Sequence, residues 1–259
     1  MRPALIPLLL LSVLMACDDP ASPSGTCLGP QLFSADTTVS GVAFTDDCTA
    51  PSGTFGDVYQ FTVAAQTNIL LTMTPSGFAG QLALFKGTLE GGVTPRKVFV
   101  EYGRGAFSAK AFLPAGTYFV VAGSDEAAGG DYTLTSGPTT TTPCTDTTIN
   151  WYTIRGADIT GLVTIADCAG APGAYQDLFG LVMDAGEQVA VSVEMNRAGF
   201  VLWRRDGSAS APNIAQFSSL VPNATASGTF TAPDQAKFNV HVNANVVAGA
   251  PLAYTLHIR

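Results

Sequence analysis

The sequence predicts an all-β protein: two tandem β-sandwich, jelly-roll-like domains, each with one disulfide near its start. Three observations predict it. Residues 47–61 return as residues 167–181, with Asp47, Cys48, Asp57, Tyr59 and Phe61 answered by Asp167, Cys168, Asp177, Phe179 and Leu181, and with a proline between, Pro51 in the first and Pro172, one place later, in the second. Apolar residues alternate with polar ones at a period of two, the spacing of a strand with one buried face. No segment carries a long apolar stripe at i, i+3, i+4 and i+7, so little helix is expected. Only 12% of residues are charged, which suits many short strands in an extracytoplasmic protein.

Residues 1–16 read as an export signal. Arg2 opens it, residues 5–13 are apolar apart from Pro7 and Ser12, and small residues lead into Cys17. That core is too short to span a bilayer and is set aside from the fold. Leu14-Met15-Ala16-Cys17 resembles the lipobox of bacterial lipoproteins, which implies lipidation of Cys17; the alternative is an ordinary cleaved signal beside a stray cysteine. Cysteine parity favours lipidation, because five cysteines are an odd number for an exported chain. Residues 17–26 are then the lipidated cysteine and a polar Pro/Ser/Gly tether. The expected location is the bacterial cell envelope, anchored to a membrane by the N-terminal lipid.

The remaining cysteines fall into two local pairs. Cys27–Cys48 and Cys144–Cys168 are expected as disulfides, since each pair opens its copy at the same place and export favours oxidation. Closing loops of this size contributes about 3 kcal/mol in the chain-entropy model. Domain 1 is expected over residues 27–136 and domain 2 over 144–259. Residues 137–143, with two prolines and four threonines, are expected as a semi-stiff connector.

Within each copy the strand faces can be read in register. Tyr59, Phe61 and Val63 share a face, and Phe179, Leu181 and Met183 answer them. Ile69, Leu71 and Met73 answer Val189, Val191 and Val193. Tyr118, Val120 and Ala122 answer Phe238, Val240 and Val242, and Tyr132 and Leu134 answer Tyr254 and Leu256 in the closing strand. Each set is expected to bury against an opposing sheet.

The order of motifs in copy one is Gly56-Asp57-Val58-Tyr59-Gln60-Phe61, then Leu113-Pro114-Ala115-Gly116-Thr117-Tyr118, then Gly130-Asp131-Tyr132-Thr133-Leu134. Over residues 55–136 this resembles the bacterial pre-peptidase C-terminal domain, a small β-sandwich of secreted proteins. Copy two keeps Asp177-Leu178-Phe179 and Tyr254-Thr255-Leu256 but loses the Gly-Thr hinge at Lys237-Phe238. The resemblance implies an accessory module, commonly appended to secreted hydrolases, with binding or targeting roles in some members. Its chief departure is that no catalytic domain accompanies it here.

The chemistry-bearing residues are few. His241 alternates with Asn239 and Asn243 and is expected to face solvent; His257 alternates with Leu256 and Ile258. There is no Gly-x-Ser-x-Gly, His-Glu-x-x-His or Walker-type loop, and no enzymatic activity is expected. No cofactor is called for, apart from calcium at Asp57, Asp177, Asp47, Asp167 and Asp131, because calcium takes six to eight oxygen ligands from such loops. The alternative is that Asp57 and Asp177 bond a nearby backbone N–H in a turn. Arg96, Lys97 and Arg104 in copy one, and Trp203, Arg204 and Arg205 in copy two, are the candidate binding residues. Phe99 and Tyr102 lie among the first set, and Arg beside exposed aromatics makes a typical binding anchor; the alternative is solvated strand faces.

A net charge of −8 argues against nucleic-acid partners, whose phosphates call for Lys and Arg. The expected role is a non-catalytic lipoprotein presenting two binding modules to envelope polymer, glycan or protein. The second reading is a structural or assembly partner of a separately encoded hydrolase.

Overall fold

The computed structural model describes residues 31–32, 37–43, 55–87, 95–124, 129–139, 151–171, 174–205, 215–219, 223–245 and 250–259. The described elements are all strands. In chain order they are β1 (Gln31–Leu32), β2 (Thr38–Ala43), β3 (Phe55–Val63), β4 (Thr67–Pro75), β5 (Gly80–Lys86), β6 (Arg96–Gly103), β7 (Phe107–Leu113), β8 (Gly116–Ser124) and β9 (Gly130–Pro138). They continue with β10 (Trp151–Tyr152), β11 (Asp158–Val163), β12 (Cys168–Ala171), β13 (Ala174–Met183), β14 (Gln188–Met195), β15 (Gly199–Arg205), β16 (Ala215–Ser219), β17 (Ala224–Thr231), β18 (Ala236–Asn245) and β19 (Leu252–Ile258).

The strands form three sheets. A five-stranded sheet has the order β1-β3-β8-β5-β6 and a four-stranded sheet the order β11-β19-β14-β17. The third, of ten strands, runs β16-β15-β18-β13-β10-β7-β4-β9-β2, with β12 paired to β13. The alternation read from the sequence places the buried side chains. Tyr59, Phe61, Ile69, Leu71, Met73, Tyr118, Val120 and Leu134 fill a core between the five-stranded sheet and β7-β4-β9-β2. Phe179, Leu181, Val189, Val191, Val193, Phe238, Val240 and Leu256 fill another, between β16-β15-β18-β13 and the four-stranded sheet. The five-stranded sheet is apolar on both faces: Val58, Ala83, Phe85, Phe119 and Val121 are buried on the side away from the first core, with Phe85 and Phe119 stacked at 5.0 Å.

The two residues of β10 join the halves. Trp151 and Tyr152 pair in parallel with Lys110 and Ala111 of β7, and Tyr152 also pairs with Gly180 of β13. Successive side chains on a strand point to opposite faces. Accordingly Tyr152 enters the first core and Trp151 the second, so the two cores lie on opposite faces of one continuous sheet. Phe112 stacks on Trp151 at 4.7 Å and meets the edge of Phe179 at 5.4 Å. Lys110 Nζ lies 5.2 Å from the Trp151 ring centre, and Lys237 Nζ lies 4.7 Å from that of Tyr152.

Polar contacts extend the seam. Tyr152 donates to Glu101 of β6, Arg96 pairs with Glu187 at 2.5 Å, and Arg155 reaches the same carboxylate at 3.3 Å. The Gln66 amide bonds both backbone groups of Asp158, accepting from its N–H at 2.7 Å and donating to its carbonyl. The expected connector also starts later than composition suggested: Gly137 and Pro138 are still in β9, opposite Leu70 and Ile69. A proline is tolerated there because its nitrogen faces the side on which pairing with β2 has already ended, as at a sheet edge.

Candidate functional site

The two aspartates singled out by the repeat occupy matching places. Asp57 lies on β3 and Asp177 on β13, and each accepts a hydrogen bond from the tyrosine of a closing strand. Tyr132 Oη donates to Asp57 Oδ2 at 2.5 Å, and Tyr254 Oη donates to Asp177 Oδ2 at 2.7 Å. A glycine on the neighbouring strand makes room for each ring. Gly41 stands opposite Tyr132 and Gly161 opposite Tyr254. A Cβ at either glycine would lie 2.3 Å from the tyrosine oxygen, inside any real contact. The pattern Gly–Tyr–Asp therefore recurs in both halves. Sequence reading placed Tyr132 and Tyr254 only as core residues. The signal that could have revealed more is that Gly41, Asp57 and Tyr132 all return, as Gly161, Asp177 and Tyr254.

The surroundings of the two carboxylates differ. Asp57 is partly exposed, and Tyr132 also shares a 2.6 Å hydrogen bond with the Tyr59 hydroxyl. Burial raises the Asp57 carboxyl above its ordinary range, and the Tyr132 bond works against that rise. Asp177 is 1% exposed, and its Oδ1 has no hydrogen-bond partner. Burial, with a smaller contribution from the charge of Asp167, pushes its carboxyl up to about 7, against the opposing bond from Tyr254. Both tyrosines are pushed far above their ordinary range, first by burial.

The other candidate ligands are dispersed. Asp167 Oδ2 accepts the backbone N–H of Thr164, three residues before it, while its own N–H bonds the Thr164 carbonyl, which closes a tight turn. Asp131 is exposed on β9, and its backbone carbonyl accepts from Ser76 at 2.8 Å. Asp57 and Asp177 belong to different halves and share no site. Among the described residues no three His, Cys, Asp or Glu side chains converge. Asp47, Cys17, Cys27, Cys48 and Cys144 lie outside the described residues. Cys168 is placed by its backbone alone, at the start of β12 opposite Gln176.

Two expected binding anchors are corrected. Trp203 is fully buried and stacks on Phe230 at 4.6 Å. It shares the inward face of β15 with Val201, and that alternation outweighs the polarity of its neighbours. Phe99 is likewise fully buried, 5.0 Å from Tyr152 across the seam. Arg96 is held by Glu187, whereas Lys97 is half-buried on β6 and Arg104 is exposed in the turn after it. Arg204 and Arg205 close β15. Tyr102 is 55% exposed and accepts from the Gln81 amide at 2.9 Å.

His241 also departs from expectation. It is buried, with Nδ1 3.0 Å from Gln176 Oε1, because the face of β18 that carries it is not open to solvent. His257 stands 2.6 Å from Asp158 Oδ1, and Arg259 bonds the same carboxylate. Those two hydrogen bonds hold the Asp158 carboxyl below its ordinary range.

Among the concavities lined by described residues, two bear on function. One, of about 620 Å³, is lined by Ser40, Thr74, Ser76, Asp131, Tyr132 and Thr133. The other, of about 390 Å³, is lined by Gln66, Asn68, Phe112, Thr139, Ile159 and Thr160, and so takes residues from both halves. Both volumes fall within the roughly 300–1,000 Å³ typical of ligand sites.

No family model matches the chain, and no curated protein matches it. Among solved structures, the chain is similar to the pre-peptidase C-terminal domain of collagenase from Bacillus anthracis, with 20% identity, a TM-score of 0.32, and coverage of 41% of this chain and 93% of that one. It is also similar to the PBSX exported protein XepA, with 9% identity, a TM-score of 0.24 and coverage of 88% of both chains. A secreted protein from Eubacterium rectale is similar at 12% identity and a TM-score of 0.24, over 85% of this chain and 73% of that one.

Proposed function

We propose that this chain is a non-catalytic, lipid-anchored envelope protein that binds an envelope polymer, glycan or protein. Two tandem copies of one β-sandwich, stapled by Cys27–Cys48 and Cys144–Cys168, make up its binding body, and Cys17 carries the anchor. The observation that supports this most is the pair of concavities, one of them at the junction of the halves. The polar residues that repeat between the halves are engaged in holding the fold: Asp57 and Asp177 accept from Tyr132 and Tyr254. The junction is fixed by aromatic stacking across β10, so a ligand lying over it would meet a preformed surface and cost little ordering entropy.

The test is capture from envelope extracts by the protein immobilised through its N-terminal end. Retention of one polymer or one protein species, lost when the protein is first unfolded, is expected. A column that retains nothing beyond an unrelated β-sandwich control overturns the reading.

A further inference from the structure

The face of β2, β9, β4 and β7 turned away from the first core carries two rows of hydroxyls. Strand partners opposite one another share a face. Thr38 pairs with Thr135, Thr135 with Thr72 and Thr72 with Ser108, which makes one row across four strands. Ser40, Thr133 and Thr74 make a second row. Every one of these residues is exposed or half-buried, and the Thr72 and Ser108 hydroxyls lie 2.6 Å apart.

The two concavities sit at opposite ends of this face. Thr74 lines the larger and Asn68 the smaller, and both side chains lie on the outward side of β4 with Leu70 and Thr72 between them. At a rise of about 3.3 Å per residue the run from Asn68 to Thr74 spans roughly 20 Å. Because the second core lies across the opposite face of the shared sheet, the four-stranded sheet stands on the same side as these hydroxyls. Its first strand, β11, brings Thr160 to the smaller concavity as an end wall, and the pair of hydrogen bonds between Gln66 and Asp158 fixes that wall in place.

Resting on the proposed binding role, we propose that this track along β4 binds a linear neutral polysaccharide. The chemistry of the face selects that class. A hydroxyl both donates and accepts, so rows of hydroxyls match the mixed donors and acceptors along a sugar chain. Among the described residues of the face, the charged groups are Asp131 at the rim and Lys110, which is covered by Trp151. An anionic polymer calls for Arg forks or open Lys ammonium groups, which the track lacks. A protein partner calls for a cluster of exposed apolar anchors, whereas the track has Leu70 in its middle and, at the smaller concavity, Phe112, which is buried against Trp151.

The test uses the purified full-length protein, sedimented with insoluble cellulose and titrated with soluble mannan and cello-oligosaccharides, with polygalacturonate as the anionic comparison. Retention on a neutral polymer is expected. T72V/T74V keeps strand propensity and removes two hydroxyls, so it should bind about tenfold more weakly. Thr133→Val alone, on a different strand, should show a smaller loss in the same direction. T225V/T229V on β17, outside the track, should bind as the native chain does, and all variants should melt within a few degrees of it.

Neutral binding that survives both track variants, or that falls equally in the β17 variant, removes the track and leaves the binding role standing. Preference for polygalacturonate, or no neutral retention while the envelope column still captures a species, overturns the ligand class alone. An empty column and no polymer retention together overturn both.

Discussion

Asp57 and Asp177 are the same residue at the same place in two halves, yet only one of them is sealed in. Asp57 keeps some contact with solvent and receives a tyrosine that is itself bonded to Tyr59. In the second half the place of Tyr59 is taken by Phe179, which has no hydroxyl to give. Asp177 is buried, accepts one hydrogen bond, and has a second carboxylate nearby. One structural device therefore serves a partly hydrated carboxylate in one half and a nearly dehydrated one in the other. The glycine and tyrosine set the geometry, while access to water sets the charge state.

Whether the halves can differ at all depends on how tightly they are joined, and the largest expected effect lies at the join. Trp151 stacks on Phe112 and belongs to the second core, while its strand neighbour Tyr152 belongs to the first. Replacing a buried aromatic by alanine costs about 3–5 kcal/mol. Trp151→Ala should lower the melting temperature and split a single calorimetric transition into two. A single transition with an unchanged midpoint would mean that the seam carries no coupling.

Next in size are the tyrosine hydroxyls. Tyr254→Phe leaves Asp177 buried with no donor, and stranding a buried charged group costs about 1–3 kcal/mol or more. Tyr132→Phe should cost less, because water reaches Asp57. Urea unfolding of the two variants compares them directly, and equal losses would show that the halves are solvated alike. Gly41→Ala and Gly161→Ala force a Cβ against the tyrosine oxygens, and overpacking of this kind costs about 1–3 kcal/mol each.

Much of this architecture was legible in the sequence, and the reasons are local. Alternation placed Phe61, Leu71, Val120, Val191, Phe238 and Leu256 on buried faces, because a strand's period of two depends on nothing beyond the strand. The same rule applied to Val201 and Trp203 puts Trp203 inside, whatever the polarity of the adjacent arginines. His241 was misread for a different reason. Alternation assigns a face but does not say whether that face meets water.

The bonds Asp57–Tyr132 and Asp177–Tyr254 join residues far apart in the chain, and a single sequence does not show such pairs. β10 escaped notice because two residues carry no periodicity. The hydroxyl track along β4 was invisible for a similar reason: its rows run across four strands whose register only the folded sheet reveals.

Titration offers a sharper test of the difference between the carboxylates. The folded carboxyl of Asp177, at about 7, lies above the ordinary 3.8. The folded state therefore holds that proton more tightly than the unfolded chain does. Its contribution to stability is complete below about pH 4 and is lost as pH rises through 7. At about 1.4 kcal/mol per pH unit, the whole effect is on the order of 4 kcal/mol. Asp177→Asn should remove this part of the pH dependence, so the difference between native and variant stabilities should change between about pH 4 and pH 7 and level off above that. Asp57→Asn should change the profile in the same direction by less. Identical urea midpoints against pH for the native chain and Asp177→Asn would show that the second half's carboxylate is as well hydrated as the first's.

The smallest expected effect belongs to the ion pairs across the seam, and its size separates two accounts of what joins the halves. Glu187 of the second half receives Arg96 from the first and Arg155 from the segment after β10. Both arginine side chains are about one-third exposed, at 30% and 37%, so solvent screens the attraction and each pair is worth roughly 0–1 kcal/mol. Glu187→Gln removes both pairs at once and keeps the side-chain shape. If the seam is held by the stacking of Phe112, Trp151 and Phe179, this variant should lower stability by less than about 1 kcal/mol. The loss should fade at high salt, since the screening length shrinks to about 3 Å at 1 M, and melting should remain a single transition. If Glu187→Gln instead separated the transitions as Trp151→Ala is expected to, charge would be joining the halves, and the aromatic contacts would follow from that union.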